Sequence, residues 1–144
     1  TLPALTGLVA FDSALGDDAV DALAALKGLT LLDVARTRVT AAGAERLRKA
    51  LPRCKVEWED PNRSVAAWAL RAGGAAGLST PRGFVQVGPG GPLPDGTFSI
   101  KGLDLGGLRP VADADVRRVA ALPDLDTLVL SGTSVTDAGV AHLA

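Results

Sequence analysis

The chain repeats itself, and that repeat limits the folds open to it more than any other feature. Leu29, Leu32, Val34, Thr37, Val39, Gly43 and Leu47 recur 96 residues later as Leu125, Leu128, Leu130, Thr133, Val135, Gly139 and Leu143. A shift of 24 towards the N-terminus gives Leu5, Leu8, Ala10, Ser13, Leu15, Ala19 and Leu23. Because 96 is four times 24, one period relates all three copies. A fourth copy, Ile100, Leu103, Leu105, Leu108, Val111, Val116 and Val119, carries one extra residue near Pro110.

The spacing within a unit dictates its local structure. Alternation places Leu32 and Val34 on one face of a short strand. Thr37 follows, where a small hydroxyl residue can bond the turning backbone. In V-T-D-A-G-V-A-H-L, Thr136 is placed to cap a helix and Asp137 to sit near its positive end. Thr40 repeats that cap in the second unit, and Asp113 serves in the fourth. Val140 and Leu143, three apart, are expected to form the inward stripe of the last helix. Each unit is thus strand, turn and helix. Alone it cannot cover its apolar face, so neighbouring units are expected to stack.

The pattern L-x-x-L-x-L-x-x-T-x-V-T-x-A-G resembles the leucine-rich repeat, in the variant with Thr or Ser where many members carry Asn or Cys. The run S-G-T-S-V-T-D-A-G-V-A-H-L-A at 131–144 is similar to repeats in large planctomycete-type bacterial proteins. It is more distantly similar to the repeats of F-box substrate receptors. The resemblance covers residues 2–51 and 100–144. It implies an α/β leucine-rich-repeat solenoid, an alpha-beta horseshoe with parallel strands on the concave face and helices on the convex face. Such arrays bind other proteins. Leu108 at the hydroxyl position, Pro110, and all of 52–99 depart from the pattern.

The middle of the chain keeps the same period in part. Val56 and Trp58 lie 24 residues after Leu32 and Val34, in the alternating K-V-E-W. Trp68 lies 24 after Ala44, inside S-V-A-A-W-A-L-R-A, which reads as helix. Asp60 and Pro61 mark its start, and Gly73 and Gly74 its stop. Residues 52–74 therefore read as a degenerate repeat. G-F-V-Q-V at 83–87 reads as a strand out of register, and G-P-G-G-P-L-P-D-G at 88–96 is too rich in Gly and Pro for a helix or sheet interior. Residues 75–99 are expected to be an irregular insertion of one strand plus a long loop. The layout is two repeats in 1–51, the degenerate repeat in 52–74, the insertion in 75–99, and two repeats in 100–144, the last truncated. Both ends fall inside units, so the pattern reads as an excerpt of a longer repeat protein.

Composition narrows the function. Fifteen Lys and Arg against 16 Asp and Glu give a net charge of −1, and three Phe, two Trp and no Tyr leave little for base stacking. Nucleic acid is not an expected partner. A single cysteine, Cys54, excludes a disulfide framework and a multi-cysteine zinc site. No window of 18 uncharged apolar residues offers a membrane span. The missing signal-peptide pattern at Thr1 tilts the compartment, otherwise open, towards the cytoplasm.

No catalytic or cofactor set emerges. R-A-G-G-A-A-G-L and G-L-D-L-G-G-L-R lack the residues and context of phosphate-binding loops. Cys54 reads as a small buried apolar group, and His142 as a solvated position on the last helix. Asn62-Arg63-Ser64 reads as a helix start, and Asp17, Asp18, Asp21, Asp113 and Asp115 as helix N-terminal acids. The expectation is a non-catalytic protein-interaction scaffold without metal or cofactor. Its candidate partner-binding residues, on the exposed strand face, are Val9, Phe11, Leu31, Asp33, Lys55, Glu57, Asp104, Thr127 and Val129, with Phe11 as the aromatic anchor. Two other readings stand beside it. The 75–99 insertion would be a regulatory or ligand-binding module, beside a kinase domain in the parent, or the middle would be a structural joint between two arrays.

Overall fold

The computed structural model describes residues 2–144, which divide into a first region ending at Asp60 and a second region, Pro61–Ala144. The first region runs β1 (Gly7–Val9), a 3-10 turn (Asp17–Ala19), α1 (Val20–Ala24), β2 (Leu31–Asp33), α2 (Ala41–Ala50) and β3 (Lys55–Glu57). Its three strands form a parallel sheet in chain order. Gly7 pairs with Leu31 and Leu31 with Lys55, so partners stand 24 residues apart. Alternation sends Leu32 and Val56 inward, where they join Val20, Leu23, Val39 and Leu47 in one core. Thr37 is buried among them, and its polarity is satisfied locally. Its hydroxyl donates to the Val34 carbonyl at 2.6 Å and accepts from the Val39 N–H at 3.3 Å.

The second region runs α3 (Pro61–Ala72), β4 (Ala75–Thr80), β5 (Gly83–Val87), β6 (Ser99–Asp104), α4 (Asp113–Val119), β7 (Thr127–Val129) and α5 (Asp137–Val140), ending in a 3-10 turn (Ala141–Leu143). Its four strands lie in the order β5-β4-β6-β7. Strand β4 is antiparallel to both β5 and β6, and only β6 and β7 run parallel. Gly102 pairs with Thr127, 25 residues on, which accommodates the extra residue near Pro110. Thr133 repeats the Thr37 arrangement, donating to the Leu130 carbonyl at 2.6 Å and accepting from the Val135 N–H at 3.4 Å.

This architecture corrects the solenoid expectation. A single parallel array, concave on its strand side, does not form. The chain is a mixed α/β fold with a three-stranded parallel sheet and a separate four-stranded mixed sheet. The cause lies in 75–99. The stretch A-A-G-L-S-T is a strand, and the tight turn at Pro81-Arg82 folds β4 and β5 into a hairpin. Thr80 fastens that turn, its hydroxyl donating to the Gly83 carbonyl at 2.8 Å. A two-residue connection can join only antiparallel strands. The other edge of β4 pairs with β6, bringing Leu78 opposite Ile100, and both side chains are fully buried. The segment expected to be an irregular insertion therefore supplies two of the four strands of this sheet, β4 as one of its two inner strands.

The Gly- and Pro-rich loop after β5 is held by the first turn of α3. The Arg63 guanidinium donates to the carbonyls of Pro94 at 2.8 Å and Gly96 at 2.7 Å, and stands over the Phe98 ring at 4.9 Å. The side-chain amide oxygen of the neighbouring Asn62 accepts from the Ile100 N–H at 2.9 Å. The last helix also departs from expectation. Val140 and Leu143 are 51% and 41% exposed and do not form an inward stripe.

Candidate functional site: an exposed sheet face in the first region

Residues that alternate with the core positions of β1, β2 and β3 share the opposite, outward face. Cross-strand register arranges them in two rows. Gly7, Leu31 and Lys55 form one, and Val9, Asp33 and Glu57 the other. Val9 is 66% exposed and Leu31 38% exposed. Phe11, two residues beyond Val9 and past the end of β1, is also exposed. The third strand closes the face with charge. Lys55 and Glu57 form an ion pair, and the Glu57 carboxylate raises the Lys55 pKa by accepting its hydrogen bond. Asp33 is turned to local work, its carboxylate accepting from the Ala35 N–H at 3.0 Å.

The rim next to Phe11 is strained. Asp12 and Arg36 both adopt positive φ, 57° and 55°. The equivalent turns of the second region place glycine there, Gly107 and Gly132 at 76° and 71°. Asp enters this conformation with modest difficulty, whereas a long side chain such as Arg resists it. Arg36 nonetheless sits there, with its guanidinium over the Phe11 ring at 5.1 Å and 3.7 Å from the Asp12 carboxylate. The arrangement holds a cation against the aromatic ring at that rim.

The nine candidate residues are divided between two sheets. Val9, Leu31, Asp33, Lys55 and Glu57 lie on the three-stranded sheet, with Phe11 just past β1. Asp104, Thr127 and Val129 lie on β6 and β7 of the other sheet, where Asp104 pairs with Val129.

Other sequence candidates take plain structural places. Cys54 is half-buried rather than buried, and burial pushes its thiol pKa up, which lowers the thiolate fraction. Among the described residues no group of three or more His, Cys, Asp or Glu is placed to hold a metal ion. No helix among them is long and apolar enough to cross a membrane.

Two of the helix-start acids have a role that sequence reasoning missed. Asp17 accepts from both the N–H and the hydroxyl of Thr40, at 2.8 and 2.6 Å. Asp113 accepts the same pair from Thr136, both at 2.6 Å. Each carboxylate thus braces the helix cap of the following unit, 23 residues on. These bonds, the Thr136 hydroxyl first, draw the Asp113 pKa below the usual carboxylate value. They also explain the glycine in V-T-x-A-G. A Cβ at Gly43 or Gly139 would collide with the carboxylate of Asp17 or Asp113. The spacing of Asp, Thr and Gly was the available signal.

Compared with known protein families, curated proteins and solved structures, the chain matches none.

Proposed function

We propose that the chain is a non-catalytic protein-interaction module that binds a partner through the outward face of β1, β2 and β3. The observation that carries this reading is the exposure of Val9 and Leu31, with Phe11 just past β1, bordered by the Lys55–Glu57 pair. Apolar side chains grouped on a sheet face and rimmed by charge are the composition of a protein-binding patch. Phe11 supplies the aromatic anchor, and Arg36, held at positive φ over its ring, pre-orients it. Backbone strain retained beside such a patch fits a binding role better than a structural one. The resemblance to protein-binding leucine-rich repeats points the same way at the level of the single unit.

The test uses the immobilised chain. A partner retained by the native protein is expected to be lost with Phe11→Ala and with Leu31→Glu, while both variants melt within a few degrees of the native chain. Retention of that partner by both variants would place the contact elsewhere.

A second reading rests on the hairpin. Phe84 is 66% and Val85 39% exposed on β5, an edge strand whose residues carry no charge. An edge of this kind suits an added strand from a partner. Phe84→Ser would then remove binding that Phe11→Ala leaves intact.

A further inference from the structure

The outer edge of β5 has the geometry to pair with a copy of itself. Strand β5 lies mid-chain, between β4 and β6 in sequence, and stands at one end of the sheet order. Gly83, Phe84, Val85 and Gln86 are all exposed. The two-residue turn at Pro81-Arg82 closes on the Thr80–Gly83 pair, and the register runs without a shift through Leu78–Val85 to Ala76–Val87. In such a hairpin the closing pair is hydrogen-bonded, and hydrogen-bonded pairs then recur at every second residue. Gly83, Val85 and Val87 therefore turn their N–H and C=O groups to β4. Phe84 and Gln86 direct theirs to the open side.

Those outward groups are spaced to meet their own image. Turned about a two-fold axis at Val85, a second β5 runs antiparallel to the first and sets Phe84 opposite Gln86 on both sides of the axis. Each of those pairs exchanges both of its N–H and C=O groups, and Val85 meets Val85 at the closer position between them. The side chains allow the approach. Val85 is 39% exposed and gains an apolar neighbour across the axis. The Phe84 ring lies over Gly77, where a Cβ would stand 2.7 Å from its Cζ, so the ring is held along the sheet face before any partner arrives. No charged residue falls within 83–94, and Arg82 would land opposite Gly88, so the strand does not repel its copy. Sheet edges are commonly guarded against such pairing by Lys, Pro or a bulge. Strand β5 carries none of the three.

We propose that two copies of the chain associate edge to edge through β5, so that the strand added in the second reading above is β5 of another copy. The pairing joins two four-stranded sheets into one continuous sheet. A contact of five residues a side is at the small end of protein interfaces, so the dimer forms only at high chain concentration.

Sedimentation equilibrium of the full chain is the test. Mean mass is expected to rise from one chain towards two between about 10 μM and about 1 mM. Gln86→Pro takes away an outward N–H and leaves the ladder to β4 intact. It should weaken association at least about tenfold and move the melting midpoint by about two degrees or less. Val85→Lys and Val85→Glu each set like charges across the axis, so either variant alone should stay single, while an equimolar mixture should recover association. A native chain that stays single at the top of that range overturns the proposal. If Phe84→Ser still removes a captured partner in that case, the second reading stands and the edge serves another protein or a segment outside residues 1–144. Association that survives Gln86→Pro overturns the proposal too, as does a mixture of the folded Val85 variants that stays single.

Discussion

The two regions use the same strand, turn and capped helix to different ends. In the first, three strands succeed each other in parallel at a constant 24-residue step, leaving one face bare with Val9 and Leu31 on it and Phe11 exposed just past β1. In the second, the β4–β5 hairpin enters ahead of β6, so that antiparallel pairing builds most of the sheet. The turns differ as well. The second region gives its left-handed turn positions to Gly107 and Gly132, whereas the first gives them to Asp12 and Arg36. The relaxed turns belong to the region with the hairpin-built sheet, and the strained ones border the exposed apolar residues. A repeat therefore constrains the unit more tightly than the assembly of units.

The largest expected effects separate the two cores. Leu32→Ala and Leu78→Ala, each at a fully buried side chain, should each lower unfolding free energy by about 2–5 kcal/mol in urea titrations. Leu128→Ala, only half-buried, should cost clearly less than Leu32→Ala despite their equivalence in the repeat. If Leu78→Ala behaved like a surface substitution, the hairpin would be an appendage and the comparison would collapse.

Next comes the tie between α3 and the Gly- and Pro-rich loop. Arg63→Ala removes two charge-assisted hydrogen bonds and the stacking on Phe98, and should cost about 1–3 kcal/mol. Amide exchange over residues 93–98 should rise with it. Unchanged exchange would mean that the loop is held by something else.

A smaller effect is pH-dependent and belongs to the Asp113–Thr136 brace. The folded pKa of Asp113 lies below its unfolded value, so its contribution is complete above the unfolded carboxylate range. It is lost as pH falls through the depressed folded value. Thr136→Val should therefore narrow the stability difference between neutral and acidic pH, with the larger loss at neutral pH. Equal losses at both would separate the brace from the carboxylate's ionisation.

Much of the first region was legible in advance because its signals are local. Period-two alternation identified Leu32 and Val34 as inward, and a hydroxyl at the turn identified the role of Thr37. The hairpin was not legible, since Ala, Gly, Ser and Thr in A-A-G-L-S-T give a weak strand signal and its burial comes from Ile100 and Phe98 further along the chain. Asp17 and Asp113 fit a helix-dipole explanation so well that the 23-residue spacing to Thr40 and Thr136, the one signal of their bonds, carried no weight. Val140 and Leu143 fit the inward pattern, but burial depends on a covering element that the pattern cannot supply. Of the candidate site, the residues on β1, β2 and β3 share a face because alternation and register suffice to place them. Asp104, Thr127 and Val129 belong to the second sheet, whose hairpin the sequence pattern did not announce.

Arg36→Gly tests the central claim most directly, by measuring thermal midpoint and partner retention on the same variant. Glycine relieves the positive φ at a gain of about 1 kcal/mol, while stripping the cation from Phe11. The account predicts a higher midpoint together with weaker retention of the partner that Phe11→Ala loses. A midpoint that falls, or retention that holds as the midpoint rises, would contradict it.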